Sequence, residues 1–116
     1  MEVKLKINNL NWTVHFVDCP NGINPLDIKD IDEHNLGLTR RSFDIILINK
    51  DLPLDLLKRT IDHELVHAYM WSFGLNQFQS FNEENVSDFF ETHGRNIIKD
   101  SDMVFSKFKG ESNGRK

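Results

Sequence analysis

The chain has 116 residues, enough for one domain with its own core and too few for a second domain of ordinary size. Its 18 acidic and 14 basic residues leave a net charge of -4, so no global positive field draws it onto nucleic acid or anionic lipid. The single cysteine, Cys19, excludes an intramolecular disulfide, and no apolar run approaches the roughly 18 residues that span a bilayer.

Val3, Leu5 and Ile7 alternate with polar residues, and Trp12, Val14 and Phe16 do so again after Asn8-Asn9, which predicts a half-buried β-hairpin. The opening residues Met1 to Lys6 are unlike a signal peptide, so a cytoplasmic location is expected. Residues 18–35 are rich in Pro, Gly, Asn and Asp and read as loop, with a short helical turn over Leu26 to His34. Leu36 to Thr39 and Phe43 to Asn49 read as a second hairpin, its β-branched later arm central in the sheet or lightly covered.

The clearest helix follows, with Asp51 as N-cap, Pro53 in the first turn and Gly74 at its end. At about 100° per residue, Leu54, Leu57, Ile61, Leu65 and Ala68 form its core stripe, and His63 and His67 point nearly the other way. Leu56, Val66, Met70 and Trp71 flank the histidines, which predicts cover on that side too. A further helix is expected from about Asn82 to Asp100, with Val86, Phe89, Phe90, His93 and Ile97 on its apolar face, and a short one from Ser101 to Lys109. Together these elements predict an α+β fold occupying residues 1–109, with a frayed tail over residues 110–116.

The run His63-Glu64-Leu65-Val66-His67 carries the chemistry. Histidines one helical turn apart stack on the same face, where their ring nitrogens can meet at one zinc ion. Glu64 lies about 100° around from His63, placed to take a proton from a metal-activated water without ligating the metal. The plain alternative is a pair of ordinary helix histidines. Glu84 is the candidate third ligand, and Asp88, one turn further on, shares its face and can accept the free ring N–H of a ligand histidine. The alternative for that pair is a solvated acidic face.

At these residues the chain resembles the gluzincins, in which a helical His-Glu-x-x-His is followed on a later helix by Glu-x-x-x-Asp. From about Leu36 to Asp100 it is similar to the compact ImmA/IrrE-like metallopeptidases of bacteria, phages and mobile elements. The resemblance implies a minimal zincin-like fold, in which a small antiparallel or mixed sheet packs on the motif helix and a Glu-bearing helix follows. It also implies one Zn2+ per chain held by His63, His67 and Glu84, Glu64 as general base, and Asp88 orienting a ligand histidine. The runner-up is the SprT-like group, similar through His63 to Tyr69 and His93-Gly94, in which His93 would replace Glu84 as ligand. An oxyanion-stabilising His or Tyr has no clear place; Tyr69 points away from the metal face, and His15, His34 and Arg41 are unassigned.

The leading expectation is therefore a zinc endopeptidase whose polypeptide substrate pairs with the edge of the strand near Asp44 to Ile48. By resemblance, that substrate is a transcriptional repressor or another regulatory protein of a mobile element. A second possibility is an adaptor or anti-repressor that keeps the zinc fold and acts by binding. A third, a SprT-like protease of DNA-bound proteins, gains little support from the acidic net charge.

Overall fold

The computed structural model describes residues 1–18, 36–75 and 82–113. The expected helical turn at Leu26 to His34, and Cys19, lie outside the described residues. Strands β1 (Glu2–Ile7) and β2 (Leu10–Val17) form the first hairpin, with Glu2 opposite His15 and Ile7 opposite Leu10. Its two-residue turn puts Asn8 at φ 49 and Asn9 at φ 66, a left-handed conformation that asparagine tolerates and that suits the twist of a tight hairpin. The alternation does what it predicted: Val3, Leu5, Ile7, Trp12, Val14 and Phe16 are buried on one face.

Strands β3 (Gly37–Arg40) and β4 (Ile45–Asn49) pair antiparallel, joined by a 3₁₀ turn over Arg41–Phe43 and by Asp44 at φ 54. β4 also pairs parallel with β2, so the mixed sheet has the order β1-β2-β4-β3. The central place of β4 matches its buried run Ile46, Leu47 and Ile48. This corrects one expectation: β4 is hydrogen-bonded on both sides and offers no edge to a peptide, whereas β3, among the described residues, pairs only with β4.

Helix α1 (Leu54–Ser72) begins one residue after its cap, Pro53, and not from Asp51. A residue before proline is steered away from helical geometry, so the helix cannot extend back through Leu52. The Asp51 N–H instead donates to Asn49 Oδ1 at 2.9 Å. The helix closes as its sequence predicts, with Gly74 at φ 72 and its N–H on the Trp71 carbonyl at 3.1 Å. Leu57, Ile61, Leu65 and Ala68 are buried against the sheet, but Leu54 is 52% exposed, and Leu52 packs against the core there. Leu56, Val66 and Met70 are half-buried and Trp71 is exposed, so the histidine side is less covered than expected.

The expected second and third helices are one, α2 (Glu83–Asn113). Asn82 caps it, its Oδ1 accepting the Asn85 N–H at 2.8 Å. The expected boundary falls at Asp100-Ser101, beside Asp102, where side chains of this kind compete for backbone hydrogen bonds and favour caps. Here α1 engages all three. Tyr69 donates its hydroxyl to Asp100 at 2.5 Å, Ser101 donates to Asp62, and Lys58 bridges Asp62 at 2.9 Å and Asp102 at 3.2 Å. Burial, with the Asp100 carboxylate beside it, holds the Tyr69 phenol well above its ordinary pKa, so it remains a donor. The helix continues through the expected tail as far as Asn113.

Thirty-one residues at about 1.5 Å each make α2 about 46 Å long, which equals the longest dimension of the molecule, 46 Å. The sheet and α1 are shorter, so the ends of α2 overhang. His93, Ile97, Ser101 and Val104 are therefore buried while Val86 (52% exposed) and Phe90 (64%) are not, contrary to the expected face. Both helices lie on the same side of the sheet, where Phe108 stacks on Phe16 at 4.4 Å between ring centroids. The fold is α+β, and among the described residues no helix is long and apolar enough to cross a membrane.

Candidate metal centre

Three stripes of α1 have three roles. Leu57, Ile61, Leu65 and Ala68 face the sheet, Lys58, Asp62 and Tyr69 face α2, and His63 and His67 face outward beside β3. Glu64 falls between the histidine stripe and the core stripe and is only 7% exposed.

The two histidine Nε2 atoms are 3.2 Å apart, with the rings edge to face at 4.9 Å between centroids. Two nitrogens bound tetrahedrally to one zinc ion at about 2.0 to 2.1 Å stand about 3.3 Å apart. The pair therefore has the spacing of adjacent corners of a zinc site, and neutral imidazole is the correct donor chemistry. The pKa of His67 is lowered, first by burial; Glu64 opposes this, while the charges of His63 and Arg41 add to it. A neutral His67 is ready to ligate.

Glu64 is held from the strand side. The Thr39 hydroxyl donates to Glu64 Oε1 at 2.6 Å and lies 3.2 Å from the Glu64 carbonyl oxygen. Gly37, on the same face of β3 as Thr39, leaves room for this approach. A Cβ there would stand 2.9 Å from Thr60 Cγ2, 3.0 Å from the Leu47 carbonyl oxygen and 3.1 Å from Glu64 Cγ. A cavity of about 380 Å³ opens between β3 and α1, lined by Leu36, Gly37, Leu56, Arg59, Thr60, His63 and Glu64. Sequence reasoning reached His63, Glu64 and His67 but missed Thr39 and the cleft; a lone threonine in a strand carries no spacing signal.

The remaining candidates lie elsewhere. Glu84 and Asp88 are exposed in the first two turns of α2, and among the described residues no group of three or more His, Cys, Asp or Glu side chains is arranged to hold a metal ion. The structure thus brings together His63, His67 and Glu64, and does not bring Glu84 or Asp88 to them. His93 is buried among aromatic rings, with Phe73 at 4.3 Å, Phe89 at 5.2 Å and Tyr69 at 5.9 Å between centroids. That is the core position its apolar helix face predicts. His15 sits on the opposite face of the sheet, 3.4 Å from Glu2, and His34 lies outside the described residues.

A pH dependence follows from His67 and His93, both with pKa values lowered chiefly by burial. Each is depressed below the unfolded value of about 6.5, so on acidification the unfolded chain takes up protons before the folded one. Stability of the zinc-free protein should be fully present above about pH 6.5 and decline as pH falls through the folded pKa values. Urea midpoints at pH 8 and pH 5.5 test this; equal midpoints would refute it.

Compared with known protein families, curated proteins and solved structures, the chain matches none.

Proposed function

We propose that this chain is a zinc-dependent metallopeptidase of the compact gluzincin type, similar to the ImmA/IrrE-like enzymes, acting on a polypeptide. One observation carries the reading: His63 and His67 converge at 3.2 Å beside the buried Glu64, and His63 and Glu64 line a cavity that opens at the Gly37 end of strand β3. Zinc bound by the two histidines would supply the Lewis acidity that polarises a carbonyl and activates water. Glu64 takes the proton from the attacking water and returns it to the leaving amine. The substrate lies extended along the outer edge of β3, Gly37–Arg40, held by main-chain hydrogen bonds. A regulatory protein such as a repressor, met in the cytoplasm, is the proposed target. Its cleavage would be read by co-expressing this protein with those encoded beside it and looking for fragments that a chelator abolishes.

Glu84 remains the proposed third ligand, on its spacing from Asp88 and on the resemblance. Wild-type protein reconstituted with zinc should hold about one ion per chain. Glu84→Ala should weaken zinc binding far more than His93→Ala, and Asp88→Ala should cost about 10 to 100-fold in affinity or activity. Competition with a chelating dye measures all three. Zinc content near zero would end the metallopeptidase reading, and the reverse order would make His93 the ligand and move the protein to the SprT-like class.

A further inference from the structure

We propose that Thr39 is the positioning residue for the general base Glu64, an inference that rests on the metallopeptidase reading. Glu64 is a buried residue on the cavity wall, and Thr39 donates to one of its carboxylate oxygens, Oε1, at 2.6 Å. A carboxylate gripped at one oxygen cannot rotate freely about its terminal bond, so the other oxygen keeps a fixed direction relative to His63 on the cavity wall. A hydrogen bond to a charged acceptor is about twice as strong as one between neutral groups, which suits it to fix the direction of a carboxylate.

The grip comes from the strand that carries the proposed substrate edge. Thr39 pairs with Ile46 and Gly37 with Ile48, so both face α1, and Gly37 lets the strand approach until Glu64 Cγ and Thr60 Cγ2 crowd its missing side chain. The direction of the base is therefore set by a residue 25 positions away in sequence, on the element nearest the substrate. Valine is the informative replacement, because it keeps the branched shape and strand preference of threonine and puts a methyl, which cannot donate, in place of the hydroxyl.

The test compares wild type, Thr39→Val and Thr39→Ser by two measurements. In zinc-free protein at pH 8, the carboxyl carbon resonance of Glu64, assigned by its loss in Glu64→Gln, should move in Thr39→Val and return in Thr39→Ser. With zinc bound and one quenched fluorescent peptide, chosen from a random pool by wild-type cleavage, as substrate, Thr39→Val should lose about tenfold to 10²-fold in kcat with KM and zinc content unchanged. Thr39→Ser should recover most of that loss. The proposal is overturned if Thr39→Val cleaves as fast as wild type, if its loss lies in KM or zinc content, or if serine restores the resonance without restoring kcat. A wild type that binds zinc yet cleaves neither the peptide pool nor any co-expressed neighbouring protein removes the peptidase reading itself, and the positioning role with it. That outcome is distinct from an active wild type matched by Thr39→Val.

Discussion

Replacing Glu64 by glutamine is expected to preserve zinc binding and fold while lowering peptide hydrolysis by about 10² to 10⁴-fold, the usual contribution of a general base. The amide has the shape of the carboxylate, and its oxygen still accepts the Thr39 hydroxyl, so the contact at 2.6 Å survives. What it lacks is the ability to take a proton from water. Burying a neutral amide costs less than burying a carboxylate, and Glu64 is 7% exposed, so thermal stability should be equal or higher. Zinc per chain, the melting curve and the yield of fragments from a co-expressed target form the measurement. If the target is inactivated equally by wild type and Glu64→Gln, with no fragment formed, the protein acts by binding and its zinc is structural.

The legible parts of this molecule are those that local pattern determines. The β1-β2 hairpin was readable because period-two alternation and the Asn8-Asn9 turn agree, and the centre of α1 because its apolar stripe repeats at helical spacing. The parallel pairing of β2 with β4 was not, since it joins segments separated by a long connection, and nothing in either strand names its neighbour. That pairing decides which strand is the edge, and so moved the expected substrate site from β4 to β3. The single helix α2 was misread for a related reason: Asp100, Ser101 and Asp102 look like a helix stop until α1 supplies their partners. The site divides in the same way. His63, Glu64 and His67 lie within one helical turn and are visible as spacing, whereas Thr39 reaches Glu64 only through tertiary contact. Glu84 and Asp88 show their mutual spacing, but their place relative to the histidines depends on the connection between α1 and α2, much of which lies outside the described residues.

Trp12→Ala should be the most damaging single truncation of the fold, at about 3 to 5 kcal/mol, the range for removing a large buried aromatic. Trp12 is fully buried, and its indole N–H donates to Ser72 Oγ at 2.9 Å near the end of α1. The neighbouring turn adds a second tie, the Asn8 side-chain amide donating to the Ser72 carbonyl at 2.8 Å. Together they fasten the first hairpin to the helix that carries the histidines. A domain of this kind has only about 5 to 15 kcal/mol in total, so the loss is a large share of it. Ser72 can turn its hydroxyl back to its own helix, so most of the cost should come from the cavity and lost packing. Trp12→Phe separates the two contributions: it keeps a ring in the core and gives up the hydrogen bond, worth about 0.5 to 1.5 kcal/mol, together with part of the volume. Urea unfolding at pH 8 in the presence of a chelator measures both variants. Zinc should then raise the midpoint of Trp12→Ala, because an ion bound only by the folded state adds stability that grows with the logarithm of its concentration. A loss below about 1 kcal/mol would contradict the anchoring role of Trp12, since surface substitutions already span about half of that. A midpoint indifferent to zinc would mean that His63 and His67 do not hold the ion in the folded chain, whatever their spacing.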